Sequence, residues 1–462
     1  MSRLNPGRLL AAKVGAEVRI RGVYTSEAID KKLRSAKLVP EDAAFCRMLA
    51  LGVSSTLGVL DETIDRALRS PNDINPDVRD CLRVSTYEIL FLGKADHAAV
   101  DQGVELVRAI APKAARLANA VLRKILAQKK FFPYANPATD DAALARVLGF
   151  PMWLAKLLIE WMGRDEACRF MEVSNQPAPV YFSVNAIQMP DEQVFLNSMA
   201  RDGMQLAPTR ISPGSDFIPG CYKAQHPIAV ASSTAMKGFR EGRLVVSDVA
   251  AQAIVQLALP KEKPESFLEI GAGRGTKTIM LQSEAFRRWG SQMNITCLDA
   301  RDFKVDLLLD RAGEYGVEIS QTVDADARFI PAPGTAPDAL GEFDTVFIDA
   351  PCSGIGTLRR HPELRWRMSP KVIQQMASIN TKILRASAPH VRVGGRLVYA
   401  TCTVSPQENE LALKAFLEMP EIAGKFRIEP CSVNELSRLF FKTRLTENGS
   451  DAHFAAVLRR VG

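Results

Sequence analysis

Ser266-Phe267-Leu268-Glu269-Ile270-Gly271-Ala272-Gly273-Arg274-Gly275-Thr276-Lys277 is a short apolar run that ends in glycines at alternate positions. An apolar run of this length, closed by glycines, reads as a buried strand, and the chain from about Thr276 onward reads as a helix. Glycines at such a junction let the backbone turn tightly and approach a ligand, whose polar groups the amides at the helix start can hydrogen-bond. A dinucleotide fold wants Gly-x-Gly-x-x-Gly, which needs a third glycine where Thr276 stands. The spacing here is Gly-x-Gly-x-Gly, a form met in S-adenosylmethionine enzymes. Alone it is a weak signal, because a plain strand-to-helix turn uses the same glycines.

Downstream, Ile295 to Leu298, Ile319 to Val323, Asp344 to Ile348 and Arg396 to Tyr399 are expected strands with helical stretches between them. Alternating strand and helix builds an α/β fold with a doubly wound, Rossmann-like sheet, whose ligand lies at the carboxyl ends of the strands. Acids stand at those ends. Asp299 closes the second strand, somewhat farther past Gly271 than the usual ~20 residues, where a carboxylate accepts from ribose hydroxyls. Asp326 follows the third strand, where an adenine amino group is expected, with Asp324 as a neighbour that fits the same role. Asp349 closes the fourth. Each acid alone reads as a solvated strand end. Together with Gly271, Ala272, Gly273, Arg274, Gly275, Thr276 and Lys277 they favour a cofactor pocket.

The fourth strand runs into Asp349-Ala350-Pro351-Cys352-Ser353-Gly354 and the fifth into Ala400-Thr401-Cys402-Thr403. Both thiols leave the carboxyl edge of the sheet over the same crevice. A single free cysteine is most often a small buried apolar residue; two at one functional edge point to chemistry. A thiolate that adds to carbon 6 of a cytosine makes the ring enamine-like, so that carbon 5 takes a methyl group from a sulfonium before a base removes the carbon 5 proton and the thiolate leaves. That reaction needs a lowered thiol pKa, which Lys277 or the nearby arginines favour, and an acid at the ring edge, for which Asp349 is the candidate. The target base must also leave any stack.

After the first cysteine come Arg359, Arg360, His361, Arg365, Trp366 and Arg367. Guanidinium groups bind phosphate and aromatic rings stack on bases, so Arg359, Arg360 and Arg365 are candidate RNA contacts, against the alternative of an exposed basic loop that binds nothing.

The chain has 462 residues, 47% hydrophobic and 24% charged, enough for two or three domains with cores of their own. Its eight cysteines form no C-x-x-C pair and no zinc-ligand spacing, so reduced thiols in a cytoplasm fit, and no metal is expected. No apolar stretch of the ~18 residues that a membrane span needs is read from the sequence, and no export signal. The formal net charge of +7 is placed unevenly: Met1 to Lys130 carries the whole basic excess. That segment reads either as a solvated helical surface or as a nucleic-acid-facing module. Its apolar residues recur at three- and four-residue steps, as in Phe45, Leu49 and Val53 or Leu117, Val121, Leu122 and Ile125, which predicts an all-helical bundle. Asn75 is placed to cap the helix that Pro76 opens, with Asp77 in its first turn. The expected division is an all-α domain over 1–134, a small α/β linking subdomain over 145–240 and a cofactor-binding domain over 241–462.

Asp349 to Gly354, Arg359 to Glu363, Tyr399 to Val404 and Pro406-Gln407-Glu408-Asn409-Glu410 together resemble the Fmu/Sun family of RNA cytosine-5 methyltransferases, from near Asp42 to the end of the chain. The resemblance implies S-adenosyl-L-methionine as cofactor, Cys402 as nucleophile, Cys352 as the group that assists product release, and Asp299, Asp326 and Asp349 in or beside the cofactor pocket. The N-terminal segment is similar to the helical RNA-binding fold of the antitermination factor NusB, which bacterial small-subunit ribosomal RNA members carry. It therefore implies 16S ribosomal RNA as the substrate, and a cytoplasmic monomer is expected. One departure stands out: the family's Cys-Ala-Ala-Pro-Gly-Gly-Lys is Gly271-Ala272-Gly273-Arg274-Gly275-Thr276-Lys277 here. Three other readings compete. A transfer RNA cytosine-5 methyltransferase would more often lack the helical module; a non-catalytic RNA-binding assembly factor is disfavoured by the cysteine pair and Asp349; and Thr276 counts against a nicotinamide oxidoreductase.

Overall fold

The computed structural model describes residues 4–93, 96–225, 233–433 and 436–462. Its contacts divide the chain into two units, one made of Met1–Gln176 with Thr357–Pro370 and the other of Pro177–Gly356 with Lys371–Gly462.

The first unit is helical. Helices Pro6–Arg21, Thr25–Ser35, Pro40–Ala67, Pro76–Leu90, Asp96–Ile110 and Ala115–Gln128 form the bundle that the periodicity predicts. Their ends follow local chemistry. Asn5 accepts from the Gly7 and Arg8 amides ahead of Pro6, and Asn75 accepts from the Asp77 amide at 2.8 Å ahead of Pro76. Leu49, Leu60, Ile64, Leu82, Leu106 and Leu122 are fully buried at its centre. Arg8 crosses that core to donate to both oxygens of Glu88 at 2.8 and 2.9 Å, so its buried charge is paired. Leu117 departs from the expected apolar stripe and faces outward, 43% exposed. Helix Pro40–Ala67, at 28 residues, does contain an 18-residue window apolar enough to span a membrane, contrary to the reading above; Leu49, Leu60 and Ile64 on it pack into the bundle core.

The first boundary also moves. Helices Asp141–Leu148, Met152–Met162 and Arg164–Val173, expected in part to open the linking subdomain, belong to the helical unit, and so does the segment Thr357–Pro370. Local sequence shows a break at the prolines near 133 and 137 but not which body the following helices join.

The second unit begins with β1 (Tyr181–Val184), β2 (Leu206–Arg210), β3 (Phe217–Ala224) and β4 (Leu244–Val246), a wholly antiparallel sheet in the order β2-β3-β1-β4, with helices Glu192–Arg201 and Ser233–Arg240 between strands. The main sheet and a separate two-stranded ribbon follow, with β5 (Phe267–Ile270), β6 (Ile295–Asp299), β7 (Gln321–Asp324), β8 (Phe343–Asp349), β9 (Val391–Thr401), β10 (Phe426–Glu429), β13 (Phe441–Lys442) and β14 (Phe454–Arg460) in the first and β11 (Cys431–Val433) and β12 (Leu436–Arg438) in the second. The order of the main sheet is β10-β14-β9-β8-β5-β6-β7, with β13 also on β14, while β11 and β12 pair with each other. The strands β5 to β9 are parallel and β14 runs antiparallel to β9. The strand order reverses between β5 and β8, and in doubly wound sheets it is outside the carboxyl ends at such a reversal that ligands bind. Buried side chains fill both faces: Val398, Ala455 and Val457 on one, Leu397, Tyr399 and Leu458 on the other.

Candidate active site

The chain leaves β5 through Gly271, Gly273 and Gly275, with φ of 84°, 59° and 77°, into helix Thr276–Trp289. A Cβ on Gly271 would stand 2.4 Å from the Asp349 carbonyl oxygen, so only glycine passes there. On Gly273 it would meet nothing nearer than the Gly271 carbonyl at 3.8 Å, which leaves that side of the turn open for a ligand. The Gly273 amide donates to Asp299 Oδ2 at 2.9 Å, and Lys304 Nζ stands 3.4 Å from Asp299 Oδ1. Asp299, 6% exposed at the end of β6, thus braces the turn from the position where a ribose is expected. Arg311 donates to the Arg274 carbonyl and to Thr276 Oγ1, while the Arg274 side chain faces outward. Asp326 is paired with Arg328, which holds its carboxyl below the ordinary value. Asp324 is exposed at the end of β7, opposite Asp299 in register.

Glu269 was not singled out from the sequence. It is fully buried in β5, accepts from Thr278 Oγ1 at 2.6 Å and from Cys297 Sγ at 3.7 Å, and burial pushes its carboxyl up to about 7. Its Oε1 has no partner. An acid in the middle of an otherwise apolar strand is the signal that marks it.

Lys277 reaches from the first turn of its helix to Asp349, Nζ to Oδ2 at 2.7 Å. Burial works against its charge, but Asp349 and then Cys402 outweigh burial and hold the ammonium above the ordinary lysine value. Both cysteines are free, and their sulfurs stand 3.2 Å apart. The register that sets Asp349 beside Ala400 carries both strands to the same edge, and the Cys402 amide donates to Cys352 Sγ at 3.4 Å. Hydrogen bonding to the Cys402 sulfur, burial, and the negative charges of Cys402 and Glu408 hold the Cys352 thiol well above its ordinary value. Cys352 therefore keeps its proton at neutral pH.

Glu408 and His453 complete the edge. Glu408 accepts from the Ser353 amide at 2.6 Å and from Ser353 Oγ at 2.7 Å. His453 precedes β14, 8% exposed; burial holds it down to about 4, with Asp248 and Asp349 opposing and Lys277 adding to that effect, so the imidazole is neutral.

The arginines divide. Arg365 is fully buried in the helical unit, donates to the Gly149 carbonyl at 3.1 Å and Asn175 Oδ1 at 2.9 Å, and lies 4.0 Å from the Phe150 ring centre. It has no surface to offer a phosphate, which corrects the expectation that it grips RNA. Arg359 is half-buried and donates to the Gln176 carbonyl at 3.2 Å, and Arg360 is half-buried as well. Among the described residues, no group of three or more His, Cys, Asp and Glu side chains is arranged to hold a metal ion.

Residues 256–459 match the family 16S rRNA methyltransferase RsmB/F, and residues 5–127 match the NusB family. The chain is 29% identical over 427 residues to a Synechocystis protein named "Probable ribosomal RNA small subunit methyltransferase B", covering 92% of this chain and 91% of that one. It is 29% identical over 384 residues to ribosomal RNA small subunit methyltransferase B of Escherichia coli K12, 83% of each chain. Among solved structures, PH0851 superposes with a TM-score of 0.79 at 22% identity, covering 100% of both chains. NSun6 from Pyrococcus horikoshii with SFG gives 0.55 at 18% identity, covering 68% of this chain and 99% of that one. These two likenesses speak to the fold.

Proposed function

We propose that this chain, which belongs to the methyltransferase family RsmB/F and carries a NusB-family domain ahead of its methyltransferase domain, methylates carbon 5 of a cytosine in 16S ribosomal RNA. The observation that carries the reading is the pair of thiols 3.2 Å apart beside Lys277 and Asp349. The open Gly271 to Lys277 turn, with Asp299 hydrogen-bonded to Gly273 and Asp349 packed on Gly271, supports S-adenosyl-L-methionine as the cofactor, which would supply the methyl group when bound, and Asp326 is proposed as a further contact. The names of the relatives support ribosomal RNA as the substrate.

In this reading Cys402, the thiol in the field of Lys277, adds to carbon 6 of an extruded cytosine and makes carbon 5 nucleophilic. Asp349, steadied by Lys277, holds the ring edge. Once carbon 5 is methylated a base removes its proton, and elimination restores Cys402. Cys352, protonated beside it, assists that release. The helical unit contributes a basic face: Lys113, Arg116, Arg123, Lys124 and Lys130 are exposed, and 113–130 contains no acid. Methyl transfer from tritiated cofactor to separated ribosomal and transfer RNA tests the substrate. Incorporation into 16S RNA that disappears in Cys402→Ala is expected; no incorporation into any RNA, or into transfer RNA alone, overturns it.

A further inference from the structure

We infer that Glu408 is a positioning residue for the methyl transfer: its carboxylate fastens the two cysteine loops together so that both thiols meet one pyrimidine ring. The inference rests on the reading of Cys402 as nucleophile and Cys352 as the release group.

Glu408 is fully buried on the turn after Cys402, and both of its carboxylate oxygens are used. Oε1 accepts from the Ser353 amide at 2.6 Å and Oε2 from Ser353 Oγ at 2.7 Å, so the two donors of the residue next to Cys352 converge on one carboxylate. On the other loop, Thr403, next to Cys402, stands 3.4 Å from Oε2 through Oγ1, and that hydroxyl is 2.8 Å from Ser353 Oγ. The turn that presents Glu408 is itself fixed. Asn409 Nδ2 donates to the Thr403 carbonyl at 3.0 Å, Thr401 Oγ1 donates to Asn409 Oδ1 at 2.6 Å, and the Tyr399 hydroxyl donates to the Glu408 carbonyl. Gly356 closes the first loop by donating from its amide to the Cys402 carbonyl at 3.1 Å.

A carboxylate is costly to bury, and an amide of the same shape occupies this place only with a rearranged set of hydrogen bonds. Glutamine turned with its N–H₂ toward the Ser353 amide loses that bond; turned the other way it keeps it only if the Ser353 hydroxyl reverses from donor to acceptor and its contact with Thr403 reorganises, and either way the charge is gone. Aspartate is a methylene too short to reach both loops. The carboxylate also acts electrostatically, behind the hydrogen bond to Cys402 and burial, which weigh more on Cys352. Its negative charge acts on Cys352, whereas the ammonium of Lys277 interacts with Cys402. The Tyr399 phenol on β9 also interacts with Cys352, and Asp349 at the end of β8 and Glu269 on β5 act on Lys277.

The test compares the full chain with Glu408→Gln, Glu408→Asp and Ser353→Ala. Three readouts are taken: single-turnover methyl transfer to RNA, cofactor affinity, and the pH dependence of iodoacetamide alkylation at each cysteine, read by mass spectrometry. A fall in the methyl-transfer rate of about 100-fold is expected for Glu408→Gln, the scale of an ångström misplacement of reacting groups. Cofactor affinity should stay within about threefold of wild type, alkylation of Cys352 should move to lower pH, and Glu408→Asp should not restore the rate. Ser353→Ala, which removes only the hydroxyl bond, should show a smaller effect in the same direction and serves if Glu408→Gln fails to fold. Alkylation profiles of both cysteines that match wild type, with an unchanged transfer rate, overturn the inference. A wild-type chain that methylates no cytosine overturns the functional reading instead, and the alkylation comparison still decides the role of Glu408.

Discussion

Lys277 Nζ lies 2.7 Å from Asp349 Oδ2, so the first turn of the helix behind the glycine turn is tied to the end of the strand that leads to Cys352. If this pair orders the site as a unit, its two members are not independent. Lys277→Met should lower the transfer rate by roughly 10²-fold, the scale of losing one preorganised charge in a site. Asp349→Asn should do the same, and the double variant should be little worse than either single one. A double-mutant cycle on the single-turnover rate checks this. Strictly additive losses would mean that the contact has no catalytic consequence.

Arg365 has the opposite character. It is buried with Nε and Nη2 unpartnered, and burial pulls its guanidinium down to about 9 against the partial support of Glu363. Replacing a poorly compensated buried charge by an apolar side chain of similar size is often neutral or stabilising. Arg365→Met should therefore stay within about 1 kcal/mol of wild type in urea denaturation or exceed it, with RNA affinity unchanged. Arg365→Ala, which leaves a cavity beside Phe150, should lose about 3 kcal/mol. A loss of RNA affinity in Arg365→Met would restore the RNA-grip reading.

The exposed basic face of Ala115–Gln128 predicts a salt signature. Each phosphate contact contributes about 0.7 to 0.9 to the slope of log affinity against log salt. Arg116→Glu with Arg123→Glu should flatten that slope by about 1.5 if both residues contact phosphate. Filter binding across 50 to 300 mM salt measures it, and an unaltered slope would leave this face without an RNA role.

His453 gives a pH dependence of stability. The folded chain keeps the imidazole neutral down to about 4, whereas an unfolded histidine takes its proton near pH 6.5. Stability from this residue is fully present above about pH 6.5 and drains as pH falls toward about 4. By pH 5 the wild type should have lost about 2 kcal/mol relative to His453→Phe, compared with their difference at pH 7.5. Urea denaturation at the two pH values decides it, and a constant difference contradicts the assignment.

Features set by a few neighbouring residues could be read directly: the cap at Asn75-Pro76, the glycine turn, the acids at strand ends and the two cysteines at one sheet edge. Strand limits shifted by a few residues; β9 begins at Val391, not Arg396, because pairing with β8 extends it. What escaped depends on partners far away in the chain. Arg365 reads as basic and exposed until Gly149 and Asn175 fold around it. His453 and Glu408 gain meaning only when β14 and the turn after Cys402 return to the edge that Cys352 leaves. The boundary near residue 134 was placed at a visible break, but the helices beyond it join the first unit through packing that no local pattern shows.

The division of labour between the thiols is the central claim, and a covalent trap tests it most directly. Cys352→Ala, Cys402→Ala and wild type are each incubated with 16S RNA and S-adenosyl-L-methionine, and protein–RNA adducts are resolved by denaturing electrophoresis. Cys352→Ala should accumulate an adduct that carries the transferred methyl group, and Cys402→Ala should form none. An adduct in Cys402→Ala and none in Cys352→Ala would contradict the account by making Cys352 the nucleophile.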